Sequence, residues 1–303
     1  MQAVGSDNVV EENVVALEIR KVSHALGAEV IGADLSKPLD DRTFQQIRSA
    51  FLEHCMLLFR EQALTREQFI AFSRRFGDLD LNEARPAETK VEGIPELMLV
   101  VSRPKPDGAP ATGRYFGADW HTDNSHLPVA AAVTLLRAIE LPEVGGDTMF
   151  ANMYRAYEML SDGMKKLLEP LYGVHMLSRA VYDLSTPERA AESWRRFPAA
   201  AHPAVRVHPE SGRKALYVND QVRLFVGMTA AESRSLLRYL SEQAVDQHNV
   251  YRHRWRKNDL VMWDNRCVLH RALADYDRTQ VRHMERTTVH GTTSGYSYQG
   301  PAE

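Results

Sequence analysis

The chain has 303 residues, 44% of them hydrophobic and 25% charged, with a formal net charge of −3. That is close to ordinary globular usage, and the length suffices for a substantial core. There is no basic excess to argue for nucleic acid as a partner, and no apolar run approaches the roughly 18 residues that would span a membrane.

A single domain of this length is long, although β barrels and sandwiches often reach roughly 200–250 residues as one unit. Residues 1–13 are polar and acidic and lack an apolar signal core, so they read as a flexible leader. Residues 14–303 read as one domain. The two cysteines, Cys55 and Cys267, lie in apolar contexts and read as small core residues. Such sparse usage fits a reducing, cytoplasmic location.

In chain order, strands are predicted at 15–19 and 28–32. Asp40 and Asp41 open a helix whose Phe44, Ile47 and Phe51 share one face. Cys55–Phe59 reads as a buried strand. Thr65-Arg66-Glu67-Gln68 is a capping box for a helix carrying Phe69, Phe72 and Phe76 inward, with Gly77 as its stop. Residues 102–118 are rich in Pro and Gly and read as a long loop, either a lid or binding loop or a mere mobile excursion. Ala130–Ala138 is a β-rich apolar run, and Gly145-Gly146-Asp147 a turn into the next strand.

Helices are predicted near 153–160 and 162–171, followed by a charged, irregular stretch over 183–200. Ala215–Val218 reads as a strand, and Thr229-Ala230-Ala231-Glu232 as a second capping box. Strands at 249–255 and 259–263 are joined by a turn at Arg256-Lys257-Asn258, and the last strand lies near 285–290. Strands dominate the second half, with helices inserted between them. The pattern predicts a mostly β barrel or sandwich with helical insertions, and not an alternating βαβ fold.

Chemistry is carried by two remote segments, Trp120-His121-Thr122-Asp123 and Trp263-Asp264-Asn265-Arg266-Cys267-Val268-Leu269-His270. In a strand, residues i and i+2 face the same way, so His121 and Asp123 would point into one cavity. With a distant His they form two imidazoles and a carboxylate. Such a set suits Fe(II) with open positions for co-substrate and O2. Zinc is the rival, but three ligands plus water is a hydrolase pattern, and no neighbouring Glu suggests itself as the base. A lone His-x-Asp is weak, since twelve histidines make chance pairings easy. Arg282 and Arg286 lie four residues apart. A guanidinium grips a carboxylate bidentately, so one suits a dicarboxylate co-substrate and the other an anionic substrate. The blander reading makes both surface partners of Glu285.

Further motifs follow in order: Leu26-Gly27-Ala28-Glu29-Val30-Ile31-Gly32-Ala33-Asp34, Phe76-Gly77, Gly145-Gly146-Asp147-Thr148 and Leu216-Tyr217-Val218-Asn219. Together with the two segments and the paired arginines, the chain resembles the taurine dioxygenase/2,4-dichlorophenoxyacetate dioxygenase (TauD/TfdA) family of Fe(II)- and 2-oxoglutarate-dependent oxygenases. The resemblance implies a double-stranded β-helix (jelly-roll) core, with His121, Asp123 and His270 as iron ligands. It implies that Thr148 and Arg282 hold the distal carboxylate of 2-oxoglutarate, and that Arg286 meets an anionic group of the substrate. The His270–Arg282 spacing is one residue longer than in taurine dioxygenase.

For the substrate pocket it implies Asn82, Arg85, Gly117 and His126, at positions where taurine dioxygenase or its relatives carry other residues. Taurine is therefore not the expected substrate. The implied reaction hydroxylates a small anionic compound with O2, releasing succinate and CO2. Relatives form dimers or tetramers, so a homo-oligomer is expected. The alternatives are desaturation or another oxidative outcome on the same scaffold, or a jelly roll kept as a binding module. A halogenase is disfavoured because Asp123 is present.

Overall fold

The computed structural model describes residues 17–82, 86–111, 117–177 and 199–300, with residues 186, 188, 189 and 192 isolated between the last two stretches. The leader 1–13, Arg85 and most of the stretch read as irregular over 183–200 lie outside the described residues.

Among the described residues an eight-stranded sheet forms the backbone of the fold. Its spatial order is β1 (Glu18–Lys21), β2 (Ala28–Ile31), β3 (Met56–Phe59), β14 (Leu260–Asp264), β6 (Ala131–Glu140), β16 (Arg282–His290), β5 (Ile94–Ser102) and β4 (Lys90–Val91). Only β2 and β3 run parallel in it. A three-stranded antiparallel sheet holds β13 (Val250–His253), β7 (Thr148–Asn152) and β15 (Val268–Ala272). A four-stranded sheet follows the order β12 (Val222–Phe225), β8 (Tyr172–His175), β9 (Ala199–Pro203) and β17 (Tyr296–Tyr298). A hairpin pairs β10 (Val205–Val207) with β11 (Lys214–Leu216).

The period of two along central strands divides the core. In β14, Leu260 and Met262 join one apolar cluster, while Val261 and Trp263 join the other. In β3, Leu57 and Phe59 likewise part from Met56 and Leu58. The first face packs against α1 (Asp41–His54) and α2 (Arg66–Arg74) through Ile47, Phe51, Phe69 and Phe72. The second meets Phe150, Ala151 and Leu269 of the three-stranded sheet. Both faces are covered, so these strands read as continuous apolar runs instead of alternating ones.

The helices start where the sequence signals them. Asp40 accepts from Thr43 N at 2.8 Å, and Thr65 and Gln68 cap each other reciprocally. Cys55, with φ 66°, ends α1 as a left-handed cap, so the predicted strand 55–59 begins one residue later. The capping box at Thr229 opens α5 (Ala230–Ala244). Helices α3 (Met153–Glu158) and α4 (Asp162–Leu168) are shorter than predicted.

Two expectations need correction. Among the described residues the first strand runs over Glu18–Lys21, leaving out Leu17 and passing the predicted end at 19, because its pairing with β2 sets its limits; residues 15 and 16 lie outside the described residues. Strand β5 pairs with β16 and ends at Ser102, so the predicted loop begins one residue later. The two strands joined by the Arg256-Lys257-Asn258 turn are present, and they enter different sheets: β13 joins the three-stranded sheet and β14 the eight-stranded one.

Candidate active site

The turn from β14 to β15 carries the chain from one sheet to the other, and delivers His270 between them. His121 is a single bridge residue opposite His270. Its N–H donates to His270 O at 3.1 Å, and His270 N–H donates to His121 O at 2.9 Å. Directly opposed residues place their side chains on one face, and the two imidazole centroids lie 4.1 Å apart. The predicted His-x-Asp strand is reduced to a single bridged residue, His121, and a turn begins at Asp123. The tertiary bridge, not the strand period, aligns the pair. One ligand atom from each of His121, Asp123 and His270 falls within 4.8 Å of the others.

Asp123 is buried and its oxygens are engaged. Oδ1 accepts from Arg286 Nη1 at 3.0 Å and Oδ2 from Thr134 Oγ1 at 2.7 Å. Burial pushes its pKa up, but Arg286, His270, His121 and the Thr134 hydroxyl outweigh that and hold it well below the usual carboxylate range. His270 is pushed down to about 3 by burial, then by the neighbouring His121 and Arg286. A neutral imidazole beside an ionised carboxylate is the state that binds a divalent ion. His121 Nδ1 faces Asp119 O at 2.8 Å, a contact that orients the ring.

Strand β16 presents Arg282, Met284 and Arg286 on one face, as residues an even number apart must. Met284 marks this as the face toward the three-stranded sheet. Glu285 points the opposite way and pairs with Arg66 and Arg137, so the two arginines are not its surface partners. Arg282 is 3% exposed. Its Nε donates to Gly146 O at 2.9 Å, and among the described residues no carboxylate lies within ion-pair distance of it. Arg286 Nε and Nη2 are buried and likewise without a partner among the described residues. Buried guanidinium groups with idle donors fit anions.

Thr148 lies at the start of β7, opposite Ala272. Its Oγ1 accepts from Trp255 Nε1 at 3.0 Å, leaving the hydroxyl proton to donate elsewhere. Gly117 sits beside the ligands with φ 78°, and a Cβ there would stand 3.3 Å from His121 Cε1. Asn82 is buried. Its Nδ2 donates to Asp80 O and Pro95 O, so it shapes a turn, while Oδ1 has no partner among the described residues. That turn reaches the ligand loop through Asn124 Nδ2 and Asp80 Oδ2, 3.0 Å apart. His126 is half-buried in the turn after Asp123. Arg85 lies outside the described residues.

A second set, His208, Asp264 and Cys267, also clusters within 4.8 Å. Its donors are already spent. Asp264 takes Arg266 Nε and Nη2 at 2.7 and 2.6 Å and His208 Nε2 at 2.9 Å. Burial, then Cys55, pushes the Cys267 thiol far up, so no thiolate is at hand. Both cysteines are free and buried.

Sequence reasoning assigned no role to Thr134, Asn265 or Trp255. The one available signal was a threonine inside the apolar run 130–138, since a buried polar residue needs a partner.

The donor set could hold a divalent ion, and Arg282 and Arg286 keep guanidinium donors, beyond those already engaged, that could take anions. The profile described as taurine catabolism dioxygenase TauD, TfdA family matches residues 18–288. The (S)-phenoxypropionate/alpha-ketoglutarate-dioxygenase of Sphingobium herbicidovorans is 35% identical over 282 residues, covering 91% of this chain and 96% of the relative. The alkylsulfatase of Acinetobacter baylyi is 33% identical over 94% of this chain and 89% of its own. The solved structure of AAD-2 in complex with Mn(II) and N-oxalylglycine superposes with a TM-score of 0.77 at 32% identity, covering 93% of this chain and 100% of that one. The chain therefore belongs to the TauD/TfdA dioxygenase family.

Proposed function

We propose that this chain is an Fe(II)- and 2-oxoglutarate-dependent dioxygenase that hydroxylates a small anionic organic substrate with O2, releasing succinate and CO2. His121, Asp123 and His270 hold the iron; Thr148 and Arg282 hold the distal carboxylate of 2-oxoglutarate; Arg286 meets the substrate's anionic group. Bound iron with 2-oxoglutarate and O2 supplies the oxidant. The chain orients the partners and excludes water around them. Asn82, Arg85, Gly117 and His126 belong to the pocket side of this proposal.

The observation that carries the reading is Arg282, a buried cation with no carboxylate partner among the described residues, on the same strand face as Arg286. Arg286 is already paired with Asp123 through Nη1 and keeps Nε and Nη2 for a second anion; the reading gives one anion, the co-substrate, to Arg282 and the other, the substrate, to those two donors. The named relatives are a phenoxypropionate dioxygenase and an alkylsulfatase. An ether or sulfate ester of a small acid fits the same logic: a hydroxyl placed on the carbon beside the oxygen makes an unstable product that splits into a carbonyl compound and the freed phenol or sulfate.

We also read residues 14–303 as one domain with a double-stranded β-helix core, whose two faces are the eight- and three-stranded sheets, and the loop after Ser102, up to 118, as a lid, of which 112–116 lie outside the described residues. The two free thiols support a cytoplasmic location; homo-oligomerisation rests on the family resemblance. The test is succinate release from 2-oxoglutarate with Fe(II), across a panel of aryloxyalkanoates, alkyl sulfates and sulfonates. Stimulation by one class is expected. Failure of every member to stimulate turnover would overturn the substrate reading, and absence of any 2-oxoglutarate consumption would overturn the reaction.

A further inference from the structure

Behind Asp123 lies a chain of hydrogen bonds whose direction is forced. Asp123, paired with Arg286, is an acceptor only. Thr134 Oγ1, 2.7 Å from Asp123 Oδ2, must therefore donate to it. A hydroxyl has one proton, so Thr134 can only accept from its other neighbour, Asn265 Nδ2 at 2.8 Å. That fixes the amide orientation, and the rest of the side chain agrees. Asn265 Oδ1 faces two N–H donors, Asp123 N at 3.1 Å and Trp263 Nε1 at 3.2 Å. The Thr122 hydroxyl closes the loop by donating to Asn265 O at 2.7 Å. Thr134, Asn265 and Thr122 are wholly buried, so water does not compete for these bonds.

We propose that Thr134 and Asn265 are positioning residues for the metal centre. Asn265 grips the Asp123 backbone with its amide oxygen, and through its amide nitrogen aims the Thr134 hydroxyl at Oδ2. One side chain thereby fixes both the place of the ligand and the rotation of its carboxylate. It sits on the β14–β15 turn, five residues before His270, and so ties the His121–Asp123 loop to the strand of the third ligand. The inference rests on the proposed assignment of His121, Asp123 and His270 to the metal.

The test is Mn(II) binding to metal-stripped protein, read as free Mn(II) by electron paramagnetic resonance, with thermal unfolding of the stripped protein alongside. Removing such an outer partner typically weakens metal binding by about 10- to 100-fold. Thr134→Val, which keeps shape and loses the hydroxyl, should show that loss, and Thr134→Ser should recover most of it. Asn265→Ala should weaken Mn(II) as well, and adding Thr134→Val to it should cost less than Thr134→Val alone, because both act through one hydrogen bond. Should Thr134→Val not fold, Thr134→Ala carries the same expectation. Wild-type affinity in folded Thr134→Val, Thr134→Ala or Asn265→Ala, or full additivity of the Thr134→Val and Asn265→Ala losses, would overturn the proposal. Asp123→Ala separates the layers. If it binds Mn(II) normally, the metal assignment itself fails. If it loses Mn(II) while Thr134→Val does not, only the positioning role fails.

Discussion

Replacing Arg282 with alanine isolates the co-substrate half of the site. Arg282 is 3% exposed, and among the described residues only its Nε is engaged, with Gly146 O. Among those residues its other donors have no hydrogen-bond partner, which suits a carboxylate. Losing one partner of a buried, hydrogen-bonded charge pair costs about 3–5 kcal/mol. At 1.4 kcal/mol per factor of ten, the requirement for 2-oxoglutarate should rise by about two to three and a half powers of ten. The requirement for the primary substrate should change far less, because Arg286 is untouched. Arg282→Lys should fall between, since it keeps charge and loses the planar fork. The assay is succinate formation with each reactant varied in turn, after thermal unfolding shows that the variants remain folded. Arg286→Ala supplies the mirror image, with the substrate requirement raised most. An equal rise for both reactants in Arg282→Ala, or none, would refute the division of labour.

Trp255→Phe removes the N–H that Thr148 Oγ1 accepts; one neutral hydrogen bond is worth about 0.5–1.5 kcal/mol, so 2-oxoglutarate binding measured by calorimetry should weaken roughly 2- to 10-fold. Unchanged binding would remove Trp255 from the site. Gly117→Ala strains a residue at φ 78° and puts a methyl against His121 Cε1, so Mn(II) binding should weaken, and a variant binding normally would show that the loop yields. Glu285 sits between Arg137 and Arg66; burial raises its pKa, but the two guanidinium groups outweigh that and hold it below its ordinary 4.5. A depressed folded pKa gives stability that is full above 4.5 and lost as the pH falls through the folded value. The melting-temperature advantage of wild type over Glu285→Gln should therefore be widest at neutral pH and shrink in acid, and a gap independent of pH would reject the linkage.

Much of the fold was legible because its signals are local. Asp40, Thr65 and Thr229 satisfy backbone N–H groups three residues away, so helix starts follow from sequence alone. Strand limits were read less well. The start of β1 and the length of β5 depend on which partner strand offers hydrogen bonds: the neighbouring β2 for β1, and for β5 the strand β16, far along the chain. The turn at Arg256-Lys257-Asn258 was legible as a turn, but a short polar break between apolar runs does not say whether the chain folds back on itself or, as here, changes sheet.

The same division holds at the site. By itself the sequence determined which side chains were available: His121, Asp123 and His270 as donors, Thr148, Arg282 and Arg286 for anions, and the family pattern that contains them. Residue type sets chemical capacity, and spacing along one strand puts Arg282 and Arg286 on one face. Tertiary structure alone decided that His121 faces His270 across a two-residue bridge, that Glu285 turns away to Arg137, and that Asp264 is consumed by Arg266 and His208. It alone brought Thr134 and Asn265 to Asp123, across 11 and 142 residues of chain. Hydrogen bonds act over about 3 Å, and a sequence records no distances between segments that meet only when the sheets pack.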